Sequence, residues 1–376
     1  MSLTSELADP AGLLSRWCAR VFTGTPLAAR RVEEAVHGVH PVRPALARPP
    51  RQHWAQVGGA FGQRVADLVQ AAPPYYALLG MLRAQWGGAA WAHDQAAAYP
   101  THAGLPGEYR ARALNIRPAA TTWLDLGDGF PDIDPVPGAP LLWADFLARA
   151  RRYQARHAPP GLLGEPGAEA GLARTAWVLS ACEDIYRSGE TDPRLGRVVD
   201  GGGTIDQLRA LPGDEVVTEL TGLARRLHER GVLWELRRLA GVPPEGTQLG
   251  IAGPTIVPGW ADGDLLLGRI DPEAGIGDGT ATLVDVKTVV TVRDPGRVAR
   301  WLWQILLYAW LDTGDLYRIR DVGLLLARHG TLVCWPVDEL AAELLGTADL
   351  VEHRRDEFRD LASGILRRAG LSLPES

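Results

Sequence analysis

The sequence predicts an α+β protein: a helical first part followed by a mixed β-sheet flanked by helices. Three observations carry this expectation. Apolar residues recur at helical spacing up to Gly241. Beyond Gly241 the pattern changes to short runs rich in β-branched and leucine residues, bounded by Gly and Pro. One long apolar helix falls among those runs, and this order suits an α+β domain with a helical N-terminal region.

Taken in order, Leu13, Leu14, Trp17 and Val21 share a helical stripe within residues 1–40. The Pro/Arg-rich stretch 41–51 reads as a loop. Helices are expected over Trp54–Ala71 and Tyr75–Trp91, and irregular chain over 100–141, where Gly, Pro and Asp accumulate. Leu141–His157 is expected to be a helix ended by Pro159 and Gly161, and Gly171–Arg187 another, stopped by Ser188-Gly189. Residues 189–213 read as loop-rich and Asp214–Leu239 as helical. Strands are expected over Thr247–Ala252, Leu265–Ile270 and Ala281–Thr288, then a helix over Pro295–Asp312. Two more strands, Val322–Arg328 and Thr331–Pro336, meet at a tight His329-Gly330 turn, and Val337–Ala369 forms one or two helices. The expected division is a helical region, 1–160, and a second domain, 161–376.

The chain has 376 residues, enough to bury a sizeable core. No apolar run reaches the length of a membrane span, and MSLTSELADP lacks the basic and apolar parts of a signal peptide. The expectation is a cytoplasmic protein with no membrane partner. Cys18, Cys182 and Cys334 are odd in number and far apart, which argues against a disulfide framework, a structural zinc site or an iron–sulfur cluster. The net charge of −6 is unlike that of a protein coating long duplex DNA, so nucleic-acid contact would rest on local arginine patches. Of the 39 basic residues only Lys287 is a lysine. Avoidance of lysine codons explains the arginines and leaves the exception, and the two side chains differ where a compact point charge is needed.

That lysine lies in Thr282-Leu283-Val284-Asp285-Val286-Lys287-Thr288, preceded by Gly263-Asp264-Leu265-Leu266-Leu267-Gly268. On a strand, Asp285 and Lys287 point to one side and Val284 and Val286 to the other. Burying such charges without a ligand is costly. A divalent ion between Asp264 and Asp285, beside Lys287, resolves the cost. Such an ion takes oxygen ligands, acidifies a bound water and neutralises phosphate charge. Taken alone, a D-x-K pair is usually a solvated strand edge. The preceding acid and strand, the sole lysine and a downstream helix coincide with it here.

In that helix, Gln304 and Tyr308 are four residues apart and share a face. Here the sequence resembles the RecB-like branch of the PD-(D/E)XK nucleases over about residues 250–335: an acid before a strand, D-x-K on the next strand, and Q-x-x-x-Y on a helix. The resemblance implies a restriction-endonuclease-like core within 161–376. It also implies Mg2+ or Mn2+ held by Asp264 and Asp285, catalysis by Lys287, and support from Gln304 and Tyr308. The implied activity is hydrolysis of phosphodiester bonds in DNA, in repair, processing or defence.

Asp271, in Gly268-Arg269-Ile270-Asp271, competes for the role of first acid; Asp264 is preferred because a strand follows it. The family tends to add an acid from an upstream helix, here Glu183, as a further metal ligand and site residue. Its other reading is an exposed pair with Arg187 at i,i+4 spacing. Arg293, Arg297 and Arg300 can hold a phosphate backbone or form a solvated helix face. Trp260, Trp301 and Trp303 can stack on unpaired bases or pack in the core. Net acidity keeps open a catalytically inactive module of this fold that binds nucleic acid or a protein partner.

Overall fold

The computed structural model describes residues 2–100, 134–257, 259–268, 279–315 and 317–373. Asp271, the alternative first acid, lies outside the described residues. The first helices are α1 (Leu3–Ala8), α2 (Leu13–Val21), α3 (Thr25–Ala35), α4 (Arg51–Val69), α5 (Tyr75–Arg83) and α6 (Ala89–Ala97). Then follow α7 (Ala139–His157), α8 (Pro166–Ser188), α9 (Pro193–Asp200), α10 (Ile205–Arg209), α11 (Asp214–Glu229) and α12 (Val232–Leu239). The β-rich part contains β1 (Gly250–Ala252), β2 (Thr255–Val257), β3 (Ala261–Asp262), β4 (Leu265–Leu267) and β5 (Ala281–Lys287). Helix α13 (Pro295–Leu311), strands β6 (Ile319–Leu326) and β7 (Thr331–Pro336), and helices α14 (Val337–Leu345) and α15 (Val351–Arg368) complete it. The fold is α+β.

Five strands form one mixed sheet in the order β1-β4-β5-β6-β7, and β2-β3 form a separate hairpin. All neighbours in the sheet are antiparallel except β5 and β6. A parallel pair needs a long crossover, and α13 supplies it. Asp294 caps α13 by accepting the Arg297 N–H at 3.0 Å, with Pro295 in the first turn. The buried hydrophobic core runs continuously from Leu3 to Leu366, so the early helices pack with the sheet. Helix α3 packs on α13, and α4 packs beside β1 and β4.

Several expected boundaries shift for local reasons. Tyr75–Trp91 is not one helix: α5 ends at Arg83, Gln85 takes φ 60°, and the chain restarts as α6 after Gly87-Gly88. Asp214–Leu239 is two helices, split at Gly231, whose φ of 74° is a left-handed conformation that glycine adopts at little cost. The stretch 189–213 contains α9, capped by Asp192, and α10, closed by a Thr204/Gln207 capping box. The β2–β3 hairpin falls where no strand was expected, and β1 and β4 are shorter than the apolar runs that announce them. Among the described residues no helix is long and apolar enough to cross a membrane.

Candidate active site

The register of β4 against β5 pairs Leu265 with Val284 and Leu266 with Leu283. Carried one residue further, it sets Asp264 opposite Asp285. Two carboxylates directly across an antiparallel pair repel each other. Asp264 Oδ2 accepts the Val286 N–H at 2.6 Å, which holds this side chain against β5. Asp264 is crowded by protein yet open to solvent through a cleft. Burial, then the Asp285 carboxylate, pushes its pKa up to about 7, against the opposing pull of Lys287.

Asp285 is 3% exposed, and burial raises its pKa while Lys287 opposes the rise. Its Oδ2 lies 2.6 Å from Lys287 Nζ. This oxygen is buried, and the ammonium is what balances its charge. Lys287 Nζ also donates to Gln304 Oε1 at 3.2 Å and sits 5.9 Å from the centre of the Trp301 ring.

Gln304, on α13, connects the set. Its Nε2 donates to Asp285 Oδ1 at 3.2 Å and to Tyr308 Oη at 3.3 Å. Only this amide orientation turns the N–H groups to the carboxylate and the carbonyl to the ammonium. Tyr308 is 4% exposed, and burial raises its pKa, so the phenol keeps its proton. The crossover after β5 returns α13 over the face on which Asp285 and Lys287 lie. The four-residue spacing of Gln304 and Tyr308 then aims both side chains at that face.

A cleft of about 530 Å³ opens beside Asp264, Gln304 and Tyr308, with Asp285 and Lys287 set behind its wall. Thr4, Gly58 and Gly62 of α4, Tyr76, Glu183, Asp262, Asp264, Gln304 and Tyr308 all line it. Comparison of the chain with known protein families, curated proteins and solved structures finds no match.

Glu183 forms the expected pair with Arg187, at 2.6 Å, and also faces the cleft that Asp264 lines. Its helix is held close because Gly80 on α5 meets α8 backbone to backbone: a Cβ at Gly80 would stand 1.8 Å from the Cys182 carbonyl oxygen. Among the described residues, however, no three His, Cys, Asp or Glu side chains converge as a metal-binding group, so Glu183 does not complete a triad with the two aspartates.

Asp262, two residues before Asp264, was not singled out in the sequence; the Asp-Gly-Asp spacing was its only signal. Burial raises its pKa while Arg187 opposes, and its Oδ1 is buried without a hydrogen bond. Trp260, Trp301 and Trp303 are at most 9% exposed and belong to the core. Arg293 and Arg297 are exposed, Arg300 is half-buried, and none of the three lines the cleft.

Two carboxylates on adjoining strand positions, one of them balanced by a single ammonium and a side-chain amide, suit a hard divalent cation that takes oxygen ligands and keeps several waters.

Proposed function

We propose that this chain is a Mg2+- or Mn2+-dependent nuclease with a restriction-endonuclease-like core, similar to the RecB-like PD-(D/E)XK enzymes, that hydrolyses phosphodiester bonds in DNA. The observation that carries the reading is the β4–β5 register. It faces Asp264 with Asp285 on the strand that also holds Lys287. The central β5, its antiparallel neighbour β4 and the α13 crossover to a parallel β6 support the fold assignment.

Asp264 and Asp285 hold the cation, and Glu183 and Asp262 add negative charge to the same cleft. When bound, the cation supplies charge neutralisation and a more acidic water. Lys287 brings a compact ammonium to the phosphate, where negative charge grows in the transition state. Asp285 and Gln304 keep that ammonium in place, and Tyr308 keeps Gln304 in place.

Calorimetry with Mn2+ tests this. The native protein is expected to show a site that Asp285→Ala removes. A parallel panel of circular and linear DNA with Mg2+ or Mn2+ is expected to show cleavage by the native protein only. A folded native protein that binds no Mn2+ would refute the reading and favour a non-catalytic module.

The raised pKa of Asp264 adds a prediction. With a pKa of about 7, this carboxyl is mostly protonated at pH 6 and mostly ionised at pH 8. A cation binds the ionised form, so binding releases a proton where the carboxyl still carries one. Mn2+ binding at pH 6 is expected to release roughly one proton per site, falling toward zero above pH 8. Calorimetry in buffers of different ionisation enthalpy measures this; a release that does not change between pH 6 and pH 8 would overturn it.

A further inference from the structure

Helix α1 touches the site from two sides. The Leu3 N–H donates to the Trp260 carbonyl at 2.9 Å, in the turn of the hairpin that leads into Asp262 and Asp264. Thr4 Oγ1 lies 3.4 Å from Tyr308 Oη, one helical turn from Gln304 on α13. Leu3 and Leu7 are buried, and a Ser2/Ser5 capping box closes the first turn. A helix this short does not persist alone, so these anchors hold it. It therefore spans the gap between the segment bearing Asp264 and the helix that clamps Asp285 and Lys287.

Hydrogen bonds link Gln304 to Tyr308 and Tyr308 to Thr4. The Gln304 amide nitrogen can only donate, so Tyr308 Oη accepts from it at 3.3 Å. The phenol's other partner is Thr4 Oγ1 at 3.4 Å, and either hydroxyl can donate. Removing that hydroxyl leaves the phenol without one of its two partners and loosens the amide that holds both Asp285 Oδ1 and Lys287 Nζ.

We infer that Thr4 is a positioning residue: through Tyr308 and Gln304 it sets the places of Asp285 and Lys287, with α1 as a working wall of the cleft. The inference rests on the nuclease reading for its consequence in catalysis, but the hydrogen-bonded chain can be tested without a cation. Thr4 is exposed, so exchanging its hydroxyl for a methyl group costs the fold little.

Because Lys287 is the only lysine, protein grown with 13C,15N-lysine gives a single side-chain signal from the heart of the site. Native, Thr4→Val and Thr4→Ser proteins are compared first without metal, then titrated with Mg2+. Thr4→Val is expected to shift the Lys287 signal in the metal-free protein and to weaken Mg2+ binding about fivefold, the size of one lost hydrogen bond. Thr4→Ser keeps the hydroxyl and is expected to match the native protein in both respects. A Lys287 signal unchanged in Thr4→Val overturns the inference. So does a Thr4→Ser protein that behaves like Thr4→Val, since a variant that keeps the hydroxyl would then disturb the site as much as one that lacks it. A native signal that ignores Mg2+ sinks the nuclease reading instead, while the metal-free comparison still decides the role of Thr4.

Discussion

Replacing Lys287 with arginine is expected to stop DNA cleavage at least as completely as replacing it with alanine, although the chain uses arginine for every other basic residue. The ammonium occupies a narrow place between Asp285 Oδ2 at 2.6 Å, Gln304 Oε1 at 3.2 Å and the Trp301 ring. A guanidinium is larger and planar, and its fork suits both oxygens of a carboxylate at once. In Lys287→Arg it would occupy the Asp285 oxygens and displace the cation as well as the point charge. Lys287→Ala does something different. It removes a competitor for the Oδ2 of Asp285, so Mn2+ affinity should hold or increase. Cleavage should nevertheless fall about a hundred- to a thousandfold, the usual cost of losing one preorganised group at the developing charge. Calorimetry and cleavage rates on the two variants separate these effects. Lys287→Arg cleaving at the native rate would remove the ammonium from the mechanism.

The parts of this site that depend on local periodicity were legible in the sequence. The two-residue period of a strand put Asp285 and Lys287 on one side, and the four-residue spacing on a helix put Gln304 beside Tyr308. Glu183 and Arg187 followed the same logic, and they do form an ion pair at 2.6 Å. What stayed hidden depends on contacts distant along the chain. Thr4 reaches Tyr308 across more than three hundred residues, and no pattern around either residue announces it. The pairing of Asp264 with Asp285 needs a register, and a sequence with a long segment between its strands does not specify one. The β2–β3 hairpin escaped because its strands are only three and two residues long, too short for alternation to register. Asp262 escaped with it. The early helices were legible as helices, but their packing onto the sheet was not, because an apolar stripe does not name its partner.

The same distance-blindness hid the interaction on which folding should depend most. Glu219→Ala is expected to destabilise the protein by about 3–5 kcal/mol, a large part of the stability of an ordinary domain. Glu219 on α11 and Arg328 just after β6 are both fully buried and form an ion pair. The other oxygen of Glu219 accepts the Ala45 N–H at 3.0 Å and lies 2.9 Å from His53 Nε2, where only an N–H can bond a carboxylate. Arg328 further donates to the Thr288 carbonyl at 2.8 Å and the Val42 carbonyl at 3.1 Å, and stacks over Trp54. The cluster thus ties α4, α11 and the 42–45 loop to the residue that follows Lys287. Removing the carboxylate strands a guanidinium with no water to solvate it, which is why breaking such a pair costs more than the pair contributes. The double variant Glu219→Leu, Arg328→Met removes both charges and is expected to recover part of the loss. It cannot recover all of it, because the carbonyls of Val42 and Thr288 lose their donors. Urea unfolding of the three proteins measures this through the midpoint, with the slope unchanged. A Glu219→Ala protein within about 1 kcal/mol of native would mean that solvent reaches Arg328, contrary to its complete burial.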